Sequence, residues 1–303
     1  MQKVKIALSI PGADPSGGYF AMPLKENARD ERSEYRRAKN ILLISNTRSN
    51  FTALYHILLR RQVLDKHLEW TFEDNHLIII SDGAQNDVWE SEYLWFIYSL
   101  QQKAQRAGGE VHFILGGREV LNLQGAWRYA HPKYAVVKPG SKDPVTALYY
   151  GNNELWHWLY HKNIMEKIGP LLFVPGGISP MVNRLRASLS QINRFVRRHY
   201  TEAGQPHASR EVELLLNSKD SPLNYSGYFD GSATKEQINK TLRKFGVRII
   251  VTAYEGATPG VYCNGKVINI TADPDNDGPA GLLIKRKHFY RLNHRCHRER
   301  IKL

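Results

Sequence analysis

A chain of 303 residues with 42% hydrophobic content can fill the core of one large domain or two small ones. Its formal charge of +13 favours anionic partners such as phosphates, nucleic acid or acidic surfaces, and its two cysteines, Cys263 and Cys296, with no CxxC pair, argue against a disulfide scaffold, a zinc ribbon or a redox dithiol. No apolar run approaches the roughly 20 residues of a membrane helix, and the start "MQKVKIALSIPG" is basic then briefly apolar without a convincing cleavage site, so a soluble cytoplasmic chain is expected.

Residues 1–39 include a stretch rich in glycine, proline and charge, "PGADPSGGYFAMPLKENARDERSEYRRAKN", which reads as a loop or hairpin ahead of the main fold. From residue 40 the pattern becomes regular. The buried strand "NILLIS" runs into the polar turn "NTRSN" and the helix "FTALYHILLRRQVL". Strand "HLIIIS", helix "ESEYLWFIYSLQQKAQRAG" and strands "EVHFIL", "PLLFVP" and "VRIIVT" follow, with further amphipathic segments between them. Late in the chain "GVYCNGKVINIT" places Asn264-Gly265 as a two-residue hairpin turn, and "AGLLIKRKHFYRL" reads as a second hairpin. The expected architecture is α/β: a sandwich of mixed β-sheets flanked by helices over residues 40–292, closed by C-terminal antiparallel hairpins and followed by a basic tail, 293–303. In such sheets ligands sit beyond the carboxyl ends of strands, so the loops after Ser45, Ser81, Leu115, Val174 and Thr252 should converge on any active site.

The positive charge is partly concentrated. "IKRKHFYRLNHRCHRERIKL" holds Lys285, Arg286, Lys287, Arg291, Arg295, Arg298, Arg300 and Lys302 against the single acid Glu299, and Arg184, Arg186, Arg194, Arg197 and Arg198 fall on a predicted helix. Charge runs usually only solvate a surface; the sharper reading of the tail is nucleic-acid binding.

The five loops read "SNTRSN", "SDGAQND", "GGREVLN", "PGGISP" and "AYEGATP". With their flanks "NFTALYHILL", "LWFIY", "GGEVHFILG", "WRYAHPKY", "LLFVPGGISP", "SPLNYSGYF" and "NGKVINI", they resemble the calcineurin-like metallophosphoesterases, phosphoprotein-phosphatase type with bacterial and Shewanella-like members, over roughly residues 40 to 292. Those proteins carry GDxHGN, GDxxDRG, GNHE, VHGGISP and a late GHT in this order. The resemblance implies their sandwich fold and a two-metal site (Mn, Fe or Zn) that activates water against a phosphate ester.

The motif residues depart from the family. Asn46 stands for the first aspartate, Arg48 for the histidine and Ser49 for the glycine. Asp82 keeps the metal-bridging carboxylate, but Gln85, Asn86 and Asp87 replace Asp-Arg-Gly and its phosphate-holding arginine. Gly117 replaces the asparagine ligand and Arg118 the general-acid histidine, with Glu119 retained. Pro175 and Ala257 stand where two histidine ligands belong, and Asn224 and Ser226 where relatives have tryptophan and a second phosphate-binding arginine. An arginine has no lone pair to give a metal, and one carboxylate does not hold a dinuclear site.

Other groups weighed as ligands are His112, His131, the i,i+4 pair His157 and His161, and the tail's His294, Cys296 and His297; none has standard spacing with a third donor. Ser179 in "GGISP" is not a nucleophile elbow, and "PSGG" and "PGG" lack the Walker lysine. The sequons at Asn50, Asn224, Asn239 and Asn269 matter only in a secreted chain. The expectation drawn is a catalytically inactive phosphatase-fold protein, not an enzyme, with no bound cofactor. Arg48 and Arg118 are left to meet the phosphate of a phosphorylated protein or another polyanion. The alternative is an active metal-dependent serine/threonine phosphatase or phosphoesterase with two divalent metals. Oligomeric state is left open.

Overall fold

The computed structural model describes residues 5–10, 19–23, 29–45, 51–81, 89–124, 132–137, 144–146, 153–202, 208–271, 280–292 and 297–303. In chain order the strands are β1 (Lys5–Ser9), β2 (Tyr19–Pro23), β3 (Glu34–Tyr35), β4 (Asn40–Ser45), β5 (His76–Ile80), β6 (Glu110–Ile114), β7 (Ala135–Val137), β8 (Pro144–Thr146), β9 (Glu166–Ile168), β10 (Leu171–Val174), β11 (Ile249–Thr252), β12 (Gly260–Tyr262), β13 (Val267–Asn269), β14 (Ala280–Lys285), β15 (His288–Leu292) and β16 (Arg298–Ile301). The helices are α1 (Phe51–Arg60), α2 (Glu90–Arg106), α3 (Gly117–Leu123), α4 (Glu154–Tyr160), α5 (Pro180–Arg184), α6 (Leu189–His199), α7 (Arg210–Val212) and α8 (Lys235–Phe245).

Two six-stranded mixed sheets form the sandwich, ordered β16-β15-β14-β4-β5-β6 and β12-β13-β11-β10-β9-β3. Strands β4, β5 and β6 pair in parallel, as do β10 and β11, while β14 runs antiparallel to β4. The apolar runs read as strands are continuous because both faces are covered. Ile41, Leu43, Ile78 and Ile80 meet Phe173, Val251 and Ile268 between the sheets. Their neighbours Leu42, Ile44, Leu77 and Ile79 pack outward with Phe51, Leu54 and Leu58 of α1 and Phe96, Ile97 and Leu100 of α2. Full burial of each such side chain contributes about 1.5–3 kcal/mol, so these alternating rows set the register.

Both expected hairpins form. In the first, four residues, 263–266, join β12 to β13; Lys266 N–H donates to Cys263 O at 3.4 Å, and Cys263 (φ 55°), Asn264 (φ 53°) and Gly265 (φ 79°) are all left-handed. The second turns at Arg286 and Lys287 between β14 and β15. The segment before residue 40 supplies the β1–β2 hairpin and then β3, which pairs with β9, while β16 in the basic tail is the edge strand beside β15. The arginine group does not lie on one helix. Arg184 ends α5, Arg186 lies between α5 and α6, and on α6 Arg197 is buried against Asn163 and Asp30 while Arg194 and Arg198 face water. Among the described residues no helix is long and apolar enough to cross a membrane.

A buried polar chain joins the sheets at the end of β4–β6 away from their carboxyl termini. His76 Nδ1 lies 2.8 Å from His112 Nε2, His112 Nδ1 lies 2.6 Å from Glu166 Oε2, and Asn163 Nδ2 donates to Glu166 Oε1 at 2.9 Å. Burial, then the neighbouring His112, lowers the His76 pKa from 6.5 to about 4, with Asp74 opposing. The unfolded chain therefore takes up a proton near pH 6.5 that the folded chain refuses until about pH 4. The stability this group contributes is complete above pH 6.5 and is lost as pH falls through 4, by on the order of 2 kcal/mol once partial solvent screening is allowed for. His76→Gln removes that component, so urea midpoints of the variant should change less between pH 6.5 and 4 than those of the parent; equal slopes would refute the assignment.

Candidate functional site

Three of the five strand-end loops lie within the described residues, and they converge. Arg118 Nη2, at the start of α3, lies 3.8 Å from Glu255 Oε2 in the loop after β11. Ala253 N–H in that same loop donates to Pro175 O at 3.0 Å. Gly117 faces Asn224: a Cβ there would lie 3.5 Å from Asn224 Oδ1. At the end of β5, the Ser81 hydroxyl donates to Glu119 Oε1. Asn46, Arg48, Ser49, Asp82, Gln85, Asn86 and Asp87, the candidate residues of the first two loops, lie outside the described residues, as does His131.

Each described loop is shaped by a local requirement. Glu119 is 3% exposed and its second oxygen accepts Gly116 N–H at 3.1 Å, so the retained glutamate caps α3 rather than facing a ligand. Burial drives its carboxyl pKa upward, opposed by the Ser81 and backbone hydrogen bonds. In "PGGISP" the glycines are required by close approach: a Cβ on Gly176 would sit 2.8 Å from Tyr225 N, and one on Gly177 2.7 Å from Tyr228 Cε2. Ser179 is fully buried and caps α5 by accepting Val182 N–H at 3.2 Å, which gives that serine a structural role. Ala257 contributes its carbonyl to Asn269 Nδ2 at 3.2 Å. Asn224 Nδ2 ties down Asn217 O and Ser218 O, each at 3.1 Å, and Ser226 Oγ donates to Asp230 Oδ2 at 3.0 Å.

Among the described residues no three His, Cys, Asp or Glu side chains gather in a way that could hold a metal ion. At the motif positions Gly117, Arg118, Pro175 and Ala257 offer no side-chain lone pair, and Glu119 spends both oxygens on Ser81 and Gly116. The described ligand positions therefore do not fit a dinuclear centre. What they present is a guanidinium beside a carboxylate at the convergence of three loops, an arrangement suited to orienting an anion.

Arg118 reaches Glu255 in the loop after β11, while α3 points Glu119 back into its own cap. Ser81 and Glu255 were missed in the sequence; the signal for Ser81 was a hydroxyl at a strand end opposite a capping glutamate. His112 belongs to the inter-sheet chain, and His161 Nδ1 contacts Asp30 Oδ1 at 2.7 Å, with Arg197 on the second oxygen. His294 and Cys296 lie outside the described residues, so neither the tail cluster nor a Cys263 pairing is described.

No family model matches the chain. In sequence it is 22% identical over 165 residues, half its length, to Shewanella-like protein phosphatase 1 of Plasmodium berghei, and 28% identical over 71 residues to Shewanella-like protein phosphatase 2 of Arabidopsis thaliana. These stretches span 42% and 18% of the two relatives, so the chain matches less than half the length of either. In structure it is similar to a point mutant of a cold-active protein tyrosine phosphatase, with TM-score 0.80, 24% identity and coverage of 94% of this chain and 92% of that one. It is also similar to the cold-active protein-tyrosine phosphatase of a Shewanella species, with TM-score 0.79, 22% identity and 98% of both chains covered. The sandwich expected from the sequence is thus the fold these proteins share. The expectation of a protein that is not an enzyme is corrected here, since the relatives and the structural neighbours named above are phosphatases and point to an enzyme. The chain is thus similar over part of its sequence to Shewanella-like protein phosphatases, and it shares the fold of the cold-active protein tyrosine phosphatases along nearly its whole length.

Proposed function

We propose that this chain is a phosphohydrolase of the phosphoprotein-phosphatase type, acting on phosphate esters of proteins at the loop end of the sandwich. The observation that carries the reading is the overlay along 94–98% of the chain on protein tyrosine phosphatases. In this reading Arg118 is the phosphate-contacting cation of the third loop, because a guanidinium offers paired N–H donors to two phosphate oxygens. Glu255 competes with the phosphate for it and keeps the cation oriented in the free protein. In this reading Asp82, the retained carboxylate of the second motif, is the candidate for water activation. The described residues do not fit a metal pair.

The test is phosphate release from p-nitrophenyl phosphate, a phosphotyrosine peptide and a phosphoserine peptide, in Mn²⁺ and in chelator, with elemental analysis of the purified protein. The expected result is release above an enzyme-free control from at least one phosphopeptide, with KM raised about tenfold or more in Arg118→Ala, as for loss of one charge-assisted contact of about 1.5–3 kcal/mol. A folded chain that releases no phosphate from any of the three in either condition overturns the proposal. Two equivalents of Mn, Fe or Zn would mean that the first two loops rebuild the family's metal site.

A further inference from the structure

At the end of the sandwich opposite the loops, five basic side chains surround a recess of about 460 Å³: Arg37, Lys39, Arg286, Lys287 and His288, with buried Ala38 as its floor. Its lining contains no carboxylate. Two segments far apart in sequence are tied together to make it. Arg286 N–H donates to Lys39 O at 2.9 Å, and Arg37 Nη2 donates to Arg286 O at 2.5 Å. Arg286 itself holds φ 58°, a left-handed conformation that L side chains rarely adopt and that a hairpin turn usually gives to glycine or asparagine. The charge continues along the edge of the sheet. Arg300 of β16 donates to His288 Nδ1 at 3.1 Å, and Arg298 lies two positions away on the same face of that strand, whereas Glu299, the acid of β16, falls on the other face; exposed Lys302 follows just past the strand's end. Among the described residues none of Arg37, Lys39, Arg286 or Lys287 has an ion-pair partner.

We propose that this recess and the β16 edge form a binding site for the phosphate backbone of nucleic acid. Like charges held together by backbone bonds repel unless a polyanion lies across them. A wide recess opening onto a line of alternate cations along an edge strand matches an extended polyanion better than a single small anion, which would be enclosed. The contacts are cationic side chains without an ordered base-reading group, so recognition is independent of sequence. The site is separate from the loop-end phosphohydrolase reading and stands whether or not that reading holds.

Binding of a labelled 25-nucleotide DNA strand and its duplex, followed by fluorescence anisotropy between 50 and 200 mM salt, tests it. Wild-type protein is expected to bind with an affinity that falls steeply with salt. The Arg37→Ala/Lys39→Ala/Arg286→Ala/Lys287→Ala variant should lower the log–log salt slope by about 3, at roughly 0.7–0.9 per phosphate contact. Lys39→Glu/Lys287→Glu, which alters two exposed side chains and no hydrogen bond described above, should weaken binding about tenfold or more at 50 mM salt and decides the matter if the fourfold variant misfolds. Arg194→Ala/Arg198→Ala, on the exposed face of α6, should bind as wild type does. No binding by wild type at 50 mM salt, wild-type affinity in Lys39→Glu/Lys287→Glu, or equal competition by polyglutamate of the same charge concentration would each overturn the proposal.

Discussion

His112→Ala is expected to lower the unfolding free energy by about 3–5 kcal/mol, a large fraction of the whole stability of a typical domain. Glu166 is fully buried and its carboxylate has two donors, His112 Nδ1 and Asn163 Nδ2. Removing the imidazole leaves the carboxylate with the amide alone, strips His76 Nδ1 of its partner and opens a cavity between β5, β6 and β9. Tyr35, whose ring stands edge-on to His112 at 4.5 Å, loses its contact as well. The diagnostic is the comparison with His112→Leu/Glu166→Leu. Replacing both partners by apolar groups removes the buried polar pair as a unit, so the double variant should be more stable than His112→Ala. Urea unfolding at constant m-value measures both. A single-variant loss under 1 kcal/mol, or a double variant less stable than the single, would show that the chain of side chains does not hold the sheets together.

This chain was half legible in the sequence. Period-two alternation in "HLIIIS" and "EVHFIL" places His76 with Ile78 and Ile80, and His112 with Ile114, on one face of their strands, which is the face that meets the second sheet. That pattern excludes His112 from the loop-end site, although proximity in sequence had made it a ligand candidate. Glu166 gave no such signal, because β9 is three residues long and its antiparallel pairing with β10 depends on Gly169, held at φ 56°. Turns were readable for the same local reason: Asn264-Gly265 tolerates left-handed φ, and its hairpin followed. Arg286 was not readable as a turn residue, since nothing in its type favours that conformation.

The site was less legible than the fold because motif letters do not say which way a side chain points. Glu119 looked like a surviving motif residue; the glycine three positions before it made it a helix cap instead. Arg118 was singled out as a cation, but Glu255 comes from "AYEGATP", a loop more than 130 residues away that follows a strand of the other sheet and is brought near only by the packing of the two sheets. Ligand loss in the motifs argued against an enzyme, whereas the fold shared with phosphatases along nearly the whole chain points the other way.

The second large effect is expected at Glu119. Its two oxygens accept from the buried Ser81 hydroxyl and from Gly116 N–H, so Glu119→Ala takes this acceptor from two buried donors at about 1–2 kcal/mol each, for a loss on the order of 2–4 kcal/mol. Glu119→Gln keeps one acceptor oxygen, and the Ser81 hydroxyl can turn to accept from the new amide, so it should fall between wild type and Glu119→Ala. Arg118→Ala provides the contrast. Its ion pair with Glu255 is 3.8 Å long and partly solvated, so its removal should shift stability by no more than about 0.5 kcal/mol. If the loop end turns over phosphate esters, the two positions separate stability from chemistry: Arg118→Ala raises KM at unchanged melting temperature. Glu119→Ala lowers the melting temperature and, by loosening the first turn of α3, lowers kcat together with it. The reverse pattern, a stable Glu119→Ala protein with normal turnover, would mean that the α3 cap neither supports the fold nor positions Arg118.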